Sequence, residues 1–228
     1  MRLKSALRRG VAAAVIAGIV VSSGIPAYAK TWNIADGDIT VKGASDESGN
    51  YNNVKQGEKD FEKDEGETVI TGESDKNTVT IDTSKGNVDV TFDDLKIDVS
   101  GKKEGDDSDD GPARESKAAV TVKGDHDATI ELDGDNKLKS GGNNAGLEKN
   151  DERSENGKTI SGKLTIKDDK GKDGSLTAEG GDGGGAGIGG GAERTGSNIT
   201  IRGGTIEAVG GNNAAGIGDG AGRASETD

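Results

Sequence analysis

Nearly all the large aliphatic side chains of this chain come in short alternating bursts. Val79-Thr80-Ile81, Val120-Thr121-Val122, Leu164-Thr165-Ile166 and Ile199-Thr200-Ile201 each read apolar–polar–apolar. Ile130-Glu131-Leu132, Leu176-Thr177-Ala178 and Ile206-Glu207-Ala208 do the same. A period of two over a few residues puts alternate side chains on opposite faces of a short strand. The β-branched residues that dominate the bursts favour that conformation. Nothing after residue 30 repeats with the helical period of 3.6. A thick core is out of reach, because Leu, Ile, Val and Phe supply only 31 of the 199 residues from Lys30 onward. Composition alone would place such a chain among disordered ones. The alternation points to an arrangement in which each layer needs few inward side chains.

The bursts are grouped into longer units. One unit takes in residues 120–123, 130–132 and 138–147. The next takes in 164–167, 176–181 and 186–189, and the third 199–202, 206–211 and 215–218. Three strands per unit with glycine-rich corners describe one coil of a parallel β-solenoid. Its backbone hydrogen bonds go to the coils above and below, about 4.8 Å away. Glycine permits the positive φ that sharp corners require. The polar stretches 43–67 and 100–117 are expected as loops projecting from the stack. After Ile217 the sequence stops where a further strand is due, so the domain over residues 30–228 is expected to be C-terminally incomplete.

Residues 1–29 read as a cleavable signal peptide. Arg2, Lys4, Arg8 and Arg9 precede the apolar run 11–21, and Ala27-Tyr28-Ala29 offers small residues at the cleavage site. The run is shorter than the roughly 20 apolar residues a membrane-spanning helix needs. The expectation is a secreted or Gram-positive-type cell-surface protein with no membrane insertion after cleavage. With no Cys in the chain there are no disulfides and no lipid-anchored cysteine. Cleavage removes four cations and no anion, taking the formal net charge from −13 to −17. Such a surface disfavours nucleic acid and anionic lipid as partners.

Four segments carry a family likeness: 31–41 (TWNIADGDITV), 130–141 (IELDGDNKLKSG), 145–149 (AGLEK) and 185–191 (GAGIGGG). Together they resemble the clostridial-type carbohydrate-binding-domain proteins, exported surface proteins of Gram-positive bacteria. The resemblance implies a right-handed parallel β-helix of the pectate-lyase-like superfamily. It also implies non-catalytic binding of plant-type polysaccharides, acidic ones included, with Ca2+ in the structure.

The outward strand positions suggest how such binding would work. Thr121, Thr165 and Thr200 hold the same place in the first strands of the three units, followed by Lys123, Lys167 and Arg202. Stacked in register, they would form a threonine stripe beside a column of cations. Like charges on neighbouring strands repel, and the carboxylates of a bound polyuronate would relieve that repulsion. For calcium, which takes six to eight oxygen ligands, the best candidates are Asp93, Asp94, Asp133 and Asp135. The stretch 106–111 opens like a calcium loop but reaches Lys117 where the bidentate Glu should stand. Trp32 is expected at the N-terminal end and Phe92 in the core, so few aromatics remain to hold sugar rings. The lone His126 lies in a polar turn, and no zinc ligand set exists.

The expected function is therefore a secreted or surface polysaccharide-binding protein, not an enzyme, with no catalytic residues assigned. An alternative is a structural or adhesin segment of a larger surface protein that binds a protein partner. A third is a polysaccharide lyase or hydrolase. The sequence does not fix the oligomeric state.

Overall fold

The computed structural model describes residues 29–47, 49–101, 116–153, 156–157, 159–171 and 173–222. Nearly all of the expected signal peptide and the whole 106–111 loop lie outside them. The alternating bursts form strands, and the strands stack in parallel as a β-solenoid of about four turns.

Two sheets make the stack. The first holds Thr68–Ser74, Val88–Asp98, Ala128–Asp133, Leu164–Lys167 and Ile199–Ile201, and continues around a bend into Asp135–Lys139, Ser175–Glu179 and Thr205–Val209. Lys30–Asn33 pairs with Thr68–Ser74 at its N-terminal end. The second holds Ile39–Asp46, Val79–Asp82, Val120–Lys123, Leu147–Glu148, Ile188–Gly189 and Ile217–Gly218. Val88–Asp98 runs along both arms of the bend: its first half pairs with Ala128–Asp133, its last residues with Asp135–Lys139. Gly134 makes the corner at φ 62°, where an added Cβ would lie 2.4 Å from Asp94 Oδ1.

Inward positions alternate as the bursts require. Val90, Phe92, Ile130, Leu132, Leu164 and Ile166 are buried. One inward amide replaces an aliphatic group at the bend. Asn136 Oδ1 accepts from the Leu95 N–H at 2.9 Å, and its Nδ2 donates to the carbonyls of Asp133 and Ser175, both at 3.1 Å. Three successive layers are tied by this one side chain, which leaves no buried polar group of its own unpaired.

The second and third units stack as expected, with Leu164 opposite Ile199, Leu176 opposite Ile206 and Ile188 opposite Ile217. The first unit is displaced by one strand. Leu164 lies opposite Ala128, not Val120, while Val120 pairs with Val79 and Leu147 in the second sheet. Both bursts alternate equally well, and alternation alone does not say on which side of a coil a strand lies.

The stretch expected as a loop over 43–67 is instead largely strand. Ile39–Asp46 and Gly49–Gln56 form an antiparallel hairpin to which Glu62–Asp64 is added. Its inward side chains are Asn52, Val54 and Gln56, two of them amides, so no apolar alternation announces it. Buried Asp64 joins the hairpin to the first coil, accepting from Trp32 Nε1 at 3.1 Å and Thr68 Oγ1 at 3.0 Å. This end of the solenoid is covered. At the other end, Ile199–Ile201, Thr205–Val209 and Ile217–Gly218 have no strand on their outer side among the described residues, and Ile201, Val209 and Ile217 are exposed.

Candidate functional site

Parallel register converts the outward residues of the first sheet into columns running along the stack. Asp89, Thr129, Thr165 and Thr200 form one column across four layers. Thr91, Glu131 and Lys167 form the next. Arg202 extends that second column: it follows Ile201, and its N–H donates to the Ile166 carbonyl at 2.8 Å. Asp89, Thr129, Thr165, Lys167 and Arg202 of these columns floor a groove of about 420 Å³, flanked by Lys163 and Asp127 on one side and walled by Asn50, Tyr51 and Asn52 at the hairpin end.

The groove cations differ in how they are held. Lys163 Nζ lies 3.4 Å from Asp127, and Lys167 Nζ lies 2.9 Å from Glu131 and 2.8 Å from Asp169. Hydrogen bonds to Asp169 and Glu131 hold the Lys167 pKa above its ordinary value. Arg202 is exposed and makes no ion pair among the described residues. A guanidinium in that state offers a planar fork of donors to a carboxylate.

Glu131, beside the groove, anchors Lys167. It is 4% exposed, and its Oε1 accepts from the backbone N–H groups of Asp169 at 2.7 Å and Lys170 at 2.8 Å. Its Oε2 has only the Lys167 ammonium as partner. Burial pushes the carboxyl pKa up, but Lys167 and the two amides outweigh it and hold the group below its ordinary value. Lys170 then reaches across to Glu67, which also accepts from Thr91 Oγ1. A group with a depressed folded-state pKa contributes stability above its unfolded value, about 4.3 for Glu, and loses that contribution as pH falls through the folded value. Glu131→Gln is therefore expected to lower Tm at neutral pH, with the gap from the parent protein closing in acid. Thermal melts of the two proteins across that range check it.

The sequence-derived site residues divide between the two sheets. Thr165, Lys167 and Arg202 line the groove, and Thr200 continues its threonine column one layer on. Thr121 and Lys123 are not part of it. They lie on the second sheet, where Thr121 pairs with Thr80 and Glu148, and Lys123 with Asp82. The expected column of adjacent cations is absent there as well, since Lys42, Asp82 and Lys123 alternate in sign. On the first sheet Lys167 and Arg202 do stand on neighbouring layers, with the anion Glu131 next in line. Thr129 was legible from the likeness of 128–131 to 164–167. Lys163 and Tyr51 carry no comparable signal.

The aspartates proposed for calcium gather at the bend. Asp93 and Asp133 are register partners, the Asp135 N–H donates to Asp94 Oδ1 at 2.9 Å, and Ser175 Oγ donates to Asp135 Oδ1 at 2.8 Å. Burial, with Asp133 and Asp94 nearby, raises the Asp93 pKa. Among the described residues no three acidic, His or Cys side chains converge as a metal-ligand set. His126 Nδ1 lies 2.8 Å from the Thr83 carbonyl, outside the groove lining.

No known protein family, curated protein or solved structure matches the chain.

Proposed function

We propose that the protein binds polysaccharide, without cleaving it, in the groove of the first sheet, and that acidic glycans are favoured. The observation that carries this reading is the exposed Arg202, without an ion-pair partner among the described residues, at the end of a hydroxyl-lined trough. Thr129 and Thr165 present hydroxyls at one-layer intervals to sugar hydroxyls, and Tyr51 supplies the ring that apolar sugar faces prefer. Lys163 and Arg202 would hold carboxylates by charge-assisted hydrogen bonds. The likeness to clostridial-type carbohydrate-binding-domain proteins supports the same class of ligand, on an exported protein. Calcium enters this reading only as an arm of its test.

The test is retention on pectin-type polymer. Replacing Lys163 and Arg202 together by Ala is expected to weaken retention about tenfold or more, since hydrogen bonds to charged groups contribute about 1.5–3 kcal/mol. Lys123→Ala, on the other sheet, is expected to change nothing. Equal retention of both variants would remove the groove as the site. Repeating the assay with chelator asks whether a divalent ion takes part, and release of reducing or unsaturated ends would reveal an enzyme instead. The uncovered C-terminal edge favours a second reading, a surface-protein segment whose partner adds a strand to Thr205–Val209.

A further inference from the structure

We infer that the groove receives the end of a glycan chain and not its interior. This rests on the polysaccharide reading above and narrows it.

The floor column Thr200, Thr165, Thr129, Asp89 leads toward the covered end of the solenoid and stops there. The next strand of the sheet begins at Thr68, opposite Val90, so it has no strand residue opposite Asp89 with which to prolong the column. Asn52 blocks the path. It is buried, and its Nδ2 donates both to the Asp89 carbonyl at 2.7 Å and to Thr68 Oγ1 at 2.9 Å. With Asn50 and Tyr51, which precede it along the chain, it forms an end wall across the trough.

That wall is fixed. Its strand, Gly49–Gln56, is paired on one side with Ile39–Asp46 and on the other with Glu62–Asp64. Lys63 Nζ sits 4.4 Å from the Tyr51 ring centroid and 2.7 Å from Asp46 Oδ2, so the ring is held from the far side. Moving the wall aside would break two ladders at once. On one flank, where Glu67 pairs with Lys170, a second cavity of about 380 Å³ adjoins the trough and shares Asp89, Thr129 and Lys167 with it. At the opposite end nothing comparable stands among the described residues, and Arg202 is exposed.

A trough blind at Tyr51 and open at Arg202 accommodates a terminal sugar against the aromatic wall, with the rest of the chain leaving past the guanidinium. An interior segment needs an exit at both ends. Recognition would then count chain ends and not polymer mass.

The experiment competes intact polygalacturonate against the same polymer hydrolysed to short fragments, for the full chain retained on immobilised polygalacturonate. The two competitors are compared at equal total uronate. Fragments are expected to compete more strongly by the ratio of their chain-end concentrations. Equal potency at equal uronate overturns the inference while leaving polysaccharide binding intact. Failure of the immobilised polymer to retain the protein at all overturns both.

Discussion

Phe92→Ala should remove about 3–5 kcal/mol of stability, the range observed when a buried Phe is truncated to Ala. Phe92 is fully buried and stands in register between Ile70 on one layer and Leu132 on the other. In a solenoid the interior is thin, and stability is a sum of contacts between neighbouring layers. One side chain that faces two interfaces is therefore counted twice, and the void it leaves has few neighbours able to collapse into it. Phe61→Ala is the matched control, because that ring is 42% exposed. Urea unfolding of the two variants should show a large fall in midpoint for the first and almost none for the second. A small loss for Phe92→Ala would mean that the layers lean on their backbone ladders far more than on their side chains.

The second large effect is expected at Gly189. Its φ is 135°, and it lies in register between Glu148 and Gly218. A Cβ there would stand 2.0 Å from the Gly218 carbonyl oxygen, a backbone atom that cannot rotate away. Gly189→Ala meets two costs, a backbone region that side chains avoid and an overlap, each about 1–3 kcal/mol. The damage should be regional. The layer bearing Ile217 should detach while the layers around Phe92 hold, since each layer contacts only its neighbours. Hydrogen exchange is the measurement: protection should disappear over 199–218 and persist over 88–98 and 128–139. Uniform loss of protection would show that the stack unfolds as a single unit.

What the sequence made legible follows from where the repeat is regular. From Leu164 to Gly218 two units match strand for strand, and their register was readable to the residue. The frame failed at 120–132, where two bursts compete for one place and only the path of the backbone decides between them. With that frame went a third of the expected binding stripe: Thr121 and Lys123 fell on the opposite sheet, while Thr165, Lys167, Thr200 and Arg202 stayed together. The hairpin's return strand, Gly49–Gln56, was invisible for a different reason. Asn52 and Gln56 occupy inward positions because they serve an end of the stack, where backbone carbonyls need donors: Gln56 Nε2 donates to the Asn33 carbonyl at 2.5 Å, and Asn52 to that of Asp89. A strand that satisfies polar groups has the composition of a loop. Tyr51 rides on that hairpin, so its place in the groove could not be foreseen.

The two ends of the molecule are chemically unlike, and this gives the stack a direction of growth. The hairpin lays one strand that runs against the coil, Gly49–Gln56, over one end of the second sheet. A layer added at the other end would settle on Thr205–Val209 and its neighbours, beyond Arg202. Such an addition would lengthen the trough at its mouth and leave its stopped end untouched. The reach of the site along a glycan would then be adjustable, while the feature that reads the terminus would stay the same size.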